Sequence, residues 1–263
     1  MKKNWIGQRK RLDMANKTLE DYLYYEEKDP DLKIYCGDCL EIMPLLPKVD
    51  LVVTDPPYGI FKDMKSDGIM FGKKTIYSED RTATEWDKRP TNDLLGMVKN
   101  AGEFFVIWGG NYFASALGDT KATLIWNKKT GNNSYADGEL AWTNVVGTMR
   151  ILNHQWCGAF KDSERGMRAV HPTQKPVVVM SWAIQLSPKS EMILDPFLGS
   201  GTTLVACKEL NRNGIGIEIS EKYCEIAKKR LKATCKPLFT DVSSAKKSSE
   251  INEKQSDMLF PVA

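Results

Sequence analysis

Short apolar runs alternate with polar, glycine-rich stretches from residue 33 onward. Residues 33–36 form the first apolar run, residues 40–46 place apolar side chains at roughly helical spacing, and residues 50–54 are rich in β-branched side chains. Period-2 and period-3.6 patterns are the main signals for strands and helices. This part of the chain therefore predicts a strand, a helix, and a buried strand that ends at Asp55.

The same patterns continue through the middle and last third of the chain. They predict helices at 92–100, from Tyr112, and at 177–186, 200–210 and 221–231, and strands at 104–108, 122–126, 139–142, 192–194 and 215–217. Strands that alternate with helices in this way are typical of α/β folds with a parallel sheet. We therefore predict such a sheet, with the clearest evidence after residue 177.

Polar segments set the expected domain limits. We predict a polar N-terminal segment at 1–32, a catalytic domain at 33–235, and a polar, mobile tail at 236–263. Within the domain, residues 59–90 and 127–170 are rich in Gly, Lys, Asp, Asn and Arg and show no sustained period. Long irregular stretches beside strand ends often carry function, so we interpret both as insertions.

The composition excludes some classes of protein but does not indicate a particular function. With 263 residues and 42% hydrophobic content the chain can bury a full core. The net charge of +3 and pI of about 8.4 are only mildly basic, which by itself does not indicate a nucleic-acid partner. No run approaches the roughly 18 apolar residues of a membrane span, and the start lacks the apolar stretch of a secretory signal. We expect a cytoplasmic protein with no membrane partner.

One close pair of cysteines, Cys36 and Cys39, has the C-x-x-C spacing of a redox pair or of half a zinc site. A second pair at such spacing is missing from the sequence, and only His154 and His171 could add imidazole ligands. We therefore expect reduced, structural thiols and no metal site.

A glycine-containing turn follows the strand at 192–194. In Asp195-Pro196-Phe197-Leu198-Gly199-Ser200-Gly201-Thr202 two glycines let the backbone approach a ligand closely. Glu218 lies about 17 residues beyond Gly201, near the roughly 20-residue spacing at which an acid meets ribose hydroxyls. A P-loop lysine and the third glycine of a dinucleotide fingerprint are both missing. We predict a nucleoside site in which Asp195 balances a cationic ligand; a capped turn is the alternative.

The segment Asp55-Pro56-Pro57-Tyr58 has groups suited to methylation of an amino group on a base. A carboxylate and a rigid backbone carbonyl can accept both amino hydrogens and localise the nitrogen lone pair. Pro56 and Pro57 fix their φ angles, and the ring of Tyr58 offers a stacking surface. A base inside a duplex is out of reach, so the target would be flipped out. A simple turn after a strand is the alternative interpretation.

In this order the segments resemble the amino-group DNA methyltransferases of the permuted β class, in which the catalytic tetrapeptide precedes the cofactor glycines. The resemblance runs from about Ile34 to Leu231. It implies an α/β, Rossmann-like, S-adenosylmethionine-dependent methyltransferase fold with a mostly parallel sheet, helices on both faces and a circularly permuted motif order. It also implies that Asp55, Pro56, Pro57 and Tyr58 are catalytic.

The resemblance also implies which residues contact S-adenosylmethionine. Asp38, in Gly37-Asp38-Cys39-Leu40-Glu41, would contact its adenine ring, and Glu218 its ribose. Thr173 and Lys175, in His171-Pro172-Thr173-Gln174-Lys175-Pro176, would bind its carboxylate. The residues implied for its methionine part are Asp195, Phe197, Gly199, Ser200, Gly201 and Thr202. The segment Trp108-Gly109-Gly110-Asn111-Tyr112 is also similar to the family, without assigned roles.

An aspartate at the first position of the tetrapeptide resembles the adenine-N6 members, since cytosine-N4 members more often carry serine there. We therefore expect a site-specific DNA methyltransferase acting on adenine N6. The alternatives are cytosine N4, an RNA base or a protein amide, whose enzymes usually place the cofactor glycines first, and a binding module without turnover.

Double-stranded DNA is the expected partner, and the resemblance leaves two others open, a second copy of the chain and a cognate restriction endonuclease. Residues 59–90 and 127–170 would recognise the target. The second stretch offers residues for phosphate contacts and stacking, namely Lys128, Lys129, Arg150, Lys161, Arg165, Arg168, Trp142 and Trp156.

Overall fold

Five parallel strands form the centre of a nine-stranded sheet. The computed structural model describes residues 17–60, 87–131, 136–157, 160–164 and 174–235. The strands in this part of the chain are β1 (Leu23–Lys28), β2 (Asp31–Cys36), β3 (Val49–Thr54), β4 (Gly102–Trp108), β5 (Ala122–Asn127), β6 (Gly138–Thr143), β7 (Arg150–Asn153), β8 (Trp156–Cys157), β9 (Phe160–Lys161), β10 (Met192–Asp195) and β11 (Asn213–Glu218).

The order of strands across the large sheet is β1-β2-β11-β10-β3-β4-β6-β5-β7, and β8 pairs with β9 separately. Strands β2, β11, β10, β3 and β4 are parallel to one another. Strand β1 pairs antiparallel with β2, β6 runs antiparallel to both β4 and β5, and β5 is parallel to β7. The carboxyl ends of the five central strands therefore lie at one edge.

Helices cover both faces of the sheet. The α-helices are α1 (Cys39–Ile42), α2 (Asn92–Asn100), α3 (Gly110–Leu117), α4 (Val177–Gln185), α5 (Thr202–Glu209) and α6 (Glu221–Ala233), with short 3-10 helices at Leu19–Tyr22 and Met43–Leu45. Buried residues of α4, α5 and α6 pack with Leu51 and Val53 of β3, whereas those of α1, α2 and α3 pack with Val52. Alternate residues of one strand thus serve two cores. This confirms the predicted α/β fold with helices on both faces.

The predicted helix at 92–100 has the observed bounds of α2 because Thr91 caps it, its hydroxyl accepting a hydrogen bond from the Leu94 amide nitrogen at 3.2 Å. The helix predicted at 40–46 instead divides into α1 and a 3-10 turn, where Pro44 lacks the amide proton that an α-helix needs. Among the described residues, no helix is long and apolar enough to cross a membrane.

The structure corrects the predicted N-terminal boundary at 32/33. Strand β1 already belongs to the sheet, and its partner β2 begins at Asp31. As an edge strand β1 has no fully buried position and carries Glu26, Glu27 and Lys28, so it lacks the apolar signature of an inner strand. The residues of the segment before Lys17 lie outside the described residues.

The stretch at 127–170 is also more than an insertion. It contributes β6, which lies between β4 and β5, and β7, which lies at the sheet edge. Residues 61–86, most of the other predicted insertion, and the tail at 236–263 lie outside the described residues.

Asp50 ties two neighbouring parallel strands together near their amino ends. Its Oδ2 accepts hydrogen bonds from the amide nitrogens of Glu191 and Met192, at 2.8 and 2.9 Å. We expect Asp50→Ala to lower the free energy of unfolding by about 1 to 2 kcal/mol, because two amides lose a charged acceptor.

Urea unfolding monitored by circular dichroism would measure this loss. Asp50→Asn is the matched control, since it keeps one acceptor oxygen and should lose less. Equal losses in the two variants would contradict this account of Asp50.

Candidate active site

Acidic residues gather where the central parallel strands end. Asp55 follows β3, Asp195 ends β10, Glu218 ends β11 and Asp38 comes two residues after β2. Because these strands are adjacent and parallel, their last residues share one edge of the sheet, the usual place for ligands in α/β folds. The topology thus brings together the two predicted halves of the site.

A direct hydrogen bond joins these halves. The Thr54 hydroxyl donates to Oδ1 of Asp195 at 2.6 Å, and the Thr203 hydroxyl donates to Oδ2 at 2.5 Å. The amide of Phe197 also donates to Oδ1, at 3.1 Å. Asp195 is only 3% exposed, and burial raises its pKa to about 6 despite these three donors.

The turn after β10 depends on two left-handed glycines. Gly199 has a φ of 55° and Gly201 a φ of 87°, conformations that other residues rarely adopt. A Cβ at Gly201 would lie 2.7 Å from the Cβ of Ala227, so α6 packs directly on this glycine. A Cβ at Gly199 would meet nothing within 4 Å. The turn is therefore closed towards α6 and open at Gly199.

Glu218 joins this turn to its neighbours. Its Oε2 accepts a hydrogen bond from the amide of Gly199 and its Oε1 one from the amide of Ser220, both at 2.8 Å. Its backbone carbonyl accepts from the amide of Gly37 at 2.9 Å. Burial raises the pKa of Glu218. Asp38, beside Gly37, caps α1 by accepting from the amide of Leu40 at 2.9 Å.

Two predicted cofactor ligands contact a helix instead. Arg230 of α6 donates to the hydroxyl oxygens of Ser200 and Thr202, at 2.9 and 3.0 Å, and to the carbonyl of Ser200 at 2.8 Å. Both side chains are buried. Their hydroxyls therefore accept hydrogen bonds that stabilise the turn, and the predicted cofactor contacts of these two residues stay a prediction.

Around Asp55 four charged groups form a chain that we call the Asp55 ion chain: Asp55, Lys175, Glu139 and Lys128. Lys175 Nζ lies 2.5 Å from Asp55 Oδ2 and 2.8 Å from Glu139 Oε2. The other oxygen of Glu139, Oε1, lies 2.5 Å from Lys128 Nζ. Lys175 also donates to the hydroxyl oxygen of Tyr58 at 3.2 Å.

Lys175 lies beside Asp55, and its predicted contact with the cofactor's carboxylate stays a prediction. A lysine ammonium has three N–H donors, and here three oxygen acceptors, from Asp55, Glu139 and Tyr58, surround it. Its side chain is 5% exposed. Thr173, its predicted companion, lies outside the described residues.

Burial and neighbouring charges shift the pKa values along the Asp55 ion chain. Burial opposes the charged form of Lys175, but Asp55 and Glu139 outweigh it and raise the pKa of Lys175. Burial also opposes the ionised form of Glu139, yet Lys175 and Lys128 lower its pKa to about 2. At Asp55 burial is the larger influence and raises the pKa. Asp55 is thus the more basic of the two carboxylates.

Tyr58 packs within an aromatic group beside Asp55. Its hydroxyl donates to Asp55 Oδ1 at 2.6 Å, and its ring stacks on Tyr112 with centroids 4.6 Å apart. The ring of Phe113 meets it edge-on at 5.9 Å. A Cβ at Gly109, whose φ is 76°, would lie 2.2 Å from Cε1 of Tyr58. The Trp108 to Tyr112 segment therefore forms the surface on which Tyr58 rests.

Glu139 was not among the predicted site residues, and Lys128 was predicted to have another role. Glu139 lies in β6 opposite Trp126 of β5. In the sequence, its only sign of a functional role was that a charged residue stands inside a short predicted strand. Lys128 was predicted to contact phosphates, but it pairs with Glu139. Trp142, predicted to stack, donates from Nε1 to the carbonyl of Gly118 at 2.8 Å. Both side chains therefore have partners inside the fold.

Comparison with known proteins gives one family and several relatives. A family model described as DNA methylase, N6_N4_Mtase, matches residues 118–229. The Type II methyltransferase M.HpaI of Haemophilus parainfluenzae is 29% identical over 76% of this chain and 74% of its own length. M.ScaI of Streptomyces caespitosus is 28% identical over 82% and 86%. M2.LlaDCHI of Lactococcus lactis subsp. cremoris is 38% identical over 41% of each chain.

Among solved structures, the PvuII DNA methyltransferase, described as cytosine-N4-specific, has a TM-score of 0.50 and 15% identity. The alignment covers 84% of this chain and 92% of that one. At this identity the likeness shows the fold.

The buried Asp195 predicts a pH-dependent stability. Its pKa of about 6 lies above the ordinary value of 3.8, so the folded state binds the proton more tightly than the unfolded state. The stability this provides is complete below about pH 4 and lost as the pH rises through 6. We expect Asp195→Asn, which cannot ionise, to exceed the parent in unfolding free energy at pH 7 by on the order of 2 kcal/mol.

Urea unfolding of both proteins between pH 4.5 and 8 would measure the difference, which should shrink towards the acid end. Asp119→Asn, at an exposed position, is the control and should match the parent throughout. A difference that does not vary with pH would contradict the assignment to Asp195.

Proposed function

We propose that the chain is an amino-group (N6/N4) DNA methyltransferase that methylates adenine N6 in double-stranded DNA. The observation that carries the proposal is the bond between Thr54 and Asp195. It lies directly between Asp55, the proposed catalytic group, and the proposed cofactor turn. Two chemically distinct half-sites thus adjoin at one edge of the sheet.

The cofactor is S-adenosylmethionine, which supplies the methyl group on a positively charged sulfur. The residues present fit such a molecule. Gly199 opens onto free space next to the carboxylate of Glu218, which suits a ribose, and the buried carboxylate of Asp195 favours a cation. We assign cofactor contacts to Asp38, Asp195, Phe197, Gly199, Gly201 and Glu218.

Asp55 acts on the amino group of the base. A carboxylate oxygen and a backbone carbonyl of the proline segment accept the two amino hydrogens, which localises the lone pair on nitrogen. Oδ2 of Asp55 is held by Lys175, and Oδ1 is occupied by the hydroxyl of Tyr58. The base amino group therefore takes the place of Tyr58 at Oδ1, which frees the ring of Tyr58 to stack on the base.

The choice of adenine rests on the aspartate at position 55. The relative of known structure described as cytosine-N4-specific shares only the fold, so its substrate does not carry over. We also propose two further partners, a second copy of the chain and a cognate endonuclease. Residues 59–90 and 127–170 are the proposed DNA-recognition segments. Lys129 is one exposed cation of the second segment that is placed to contact phosphates.

Expression in a methylation-free host, followed by single-molecule sequencing of its genome, tests the whole proposal. We expect N6-methyladenine at one recurring sequence. N4-methylcytosine alone would overturn the base assignment, and methylation of RNA or protein without DNA would overturn the substrate.

Replacing the catalytic carboxylate gives a sharper test. We expect Asp55→Ala to lower the single-turnover methylation rate by roughly 1000-fold or more, because the charged acceptor of one of the two amino hydrogens is then lost and only the backbone carbonyl remains. The affinity for S-adenosylmethionine, measured by calorimetry, should stay within about threefold. Asp119→Ala, at an exposed position, is the control. A rate close to that of the parent would exclude Asp55 from catalysis.

Two variants of Tyr58 distinguish the contribution of its ring, by stacking, from that of its hydroxyl, by hydrogen bonding. Tyr58→Phe keeps the ring and should retain most of the activity, whereas Tyr58→Ala loses a stacking surface that contributes about 1 to 3 kcal/mol. DNA with 2-aminopurine at the target position reports flipping by its fluorescence. We expect the increase on binding to weaken in the alanine variant. If the phenylalanine variant lost as much, the hydroxyl and not the ring would be the important group.

A further inference from the structure

We propose that Glu139, backed by Lys128, is a positioning residue for methyl transfer, because it shares the ammonium of Lys175 and so fixes the orientation and the charge of the Asp55 carboxylate. The inference rests on the proposed function and deepens the role of the same site. It concerns a residue in β6, outside the catalytic segment and the cofactor turn.

The Asp55 ion chain connects four separate elements. Asp55 follows β3, Glu139 belongs to β6, Lys128 follows β5, and Lys175 precedes α4. All four side chains are at most 22% exposed. The Lys175 ammonium also lies near the ring centroids of Tyr58 and Trp108, at 5.6 and 5.5 Å. With aromatic rings around it and three oxygen acceptors, this ammonium has little freedom to move.

This arrangement matters most when a base is bound. Tyr58 then leaves Oδ1 to the amino group, and Lys175 remains as the side chain that holds Asp55 at Oδ2. Glu139 forms an ion pair with the same ammonium, its Oε2 lying 2.8 Å from Lys175 Nζ. A small displacement of a reacting group costs a large factor in rate, so a fixed Lys175 is a catalytic requirement.

The charge of Glu139 matters as well as its position. If the Lys175 ammonium were paired with Asp55 alone, it would withdraw electron density from the Asp55 carboxylate. That carboxylate would then be a weaker hydrogen-bond acceptor. The negative charge of Glu139 partly offsets the positive charge of Lys175 and so raises the pKa of Asp55. Lys128 pairs with Glu139 and reduces this effect. The other titratable groups that influence Asp55 or its partners are Tyr58, Tyr112 and Asp195.

The first test needs neither DNA nor cofactor. In protein labelled with carbon-13 at the aspartate carboxyl, the titration of Asp55 is followed by NMR and assigned with Asp55→Asn. We expect Glu139→Gln to lower the midpoint by roughly half a pH unit or more, because a nearby negative charge is lost. Glu103→Gln, an exposed strand position, is the control and should leave it unchanged.

Lys128→Gln provides a test of opposite sign. It removes the charge that offsets Glu139, so the Asp55 midpoint should rise. Loss of structure cannot produce opposite shifts in two variants of one chain of charges, and circular dichroism verifies the fold of each. An unchanged midpoint in Glu139→Gln, or shifts of the same sign in both variants, would overturn the inference.

Activity supplies the second readout. In Glu139→Gln we expect the single-turnover rate to fall roughly tenfold or more while KM for DNA changes little, and the acid limb of the pH–rate profile to move to lower pH. An unchanged rate would overturn the positioning role. If the parent chain transfers no methyl to DNA, the proposed function fails, whereas the titrations still decide whether Glu139 controls Asp55.

Discussion

The site depends on the ion pairs that the buried ammonium of Lys175 forms with Asp55 and Glu139. The parallel strands deliver Asp55, Asp195 and Glu218 to one edge of the sheet, and β6 adds Glu139 beside Asp55. Buried carboxylates are costly unless they are paired or hydrogen-bonded. Asp195 and Glu218 are stabilised by hydroxyls and amides, whereas Asp55 and Glu139 share one ammonium. With Lys128 counted, negative charge still exceeds positive, which suits a cationic methyl donor.

Much of this edge could be predicted from the sequence because it follows from topology. Apolar runs predicted β3, β10 and β11, and parallel strands place their last residues side by side whatever the side chains are. The proximity of Asp55, Asp195 and Glu218 could therefore be predicted without knowing the conformation of any loop. The two glycines of the turn stood out in the sequence because glycine lets the backbone approach a ligand closely, and both have left-handed φ angles in the structure.

Contacts between distant segments could not be predicted in this way. Glu139 meets Lys175 because β6 inserts antiparallel between β4 and β5, an arrangement that no local pattern encodes. Arg230 reaches Ser200 and Thr202 because α6 packs on Gly201, so hydroxyls that resemble cofactor ligands serve the fold. Edge strand β1 was missed because it has no fully buried position and carries charged residues, and hydrophobic periodicity depends on burial.

Tyr58 shows how the fold stabilises the carboxylate of Asp55, which we propose is catalytic, when no substrate is bound. If Oδ1 of Asp55 lacked a donor, the desolvated charge would cost stability or take up a proton. The hydroxyl of Tyr58 supplies that donor at 2.6 Å, while the ring rests on Tyr112 and on Gly109. A base amino group that arrives at Oδ1 replaces one donor with another, so the number of hydrogen bonds to Asp55 is conserved. In the proposed mechanism the entry of the base therefore requires the rearrangement of one aromatic side chain, while Lys175 and Glu139 stay in place.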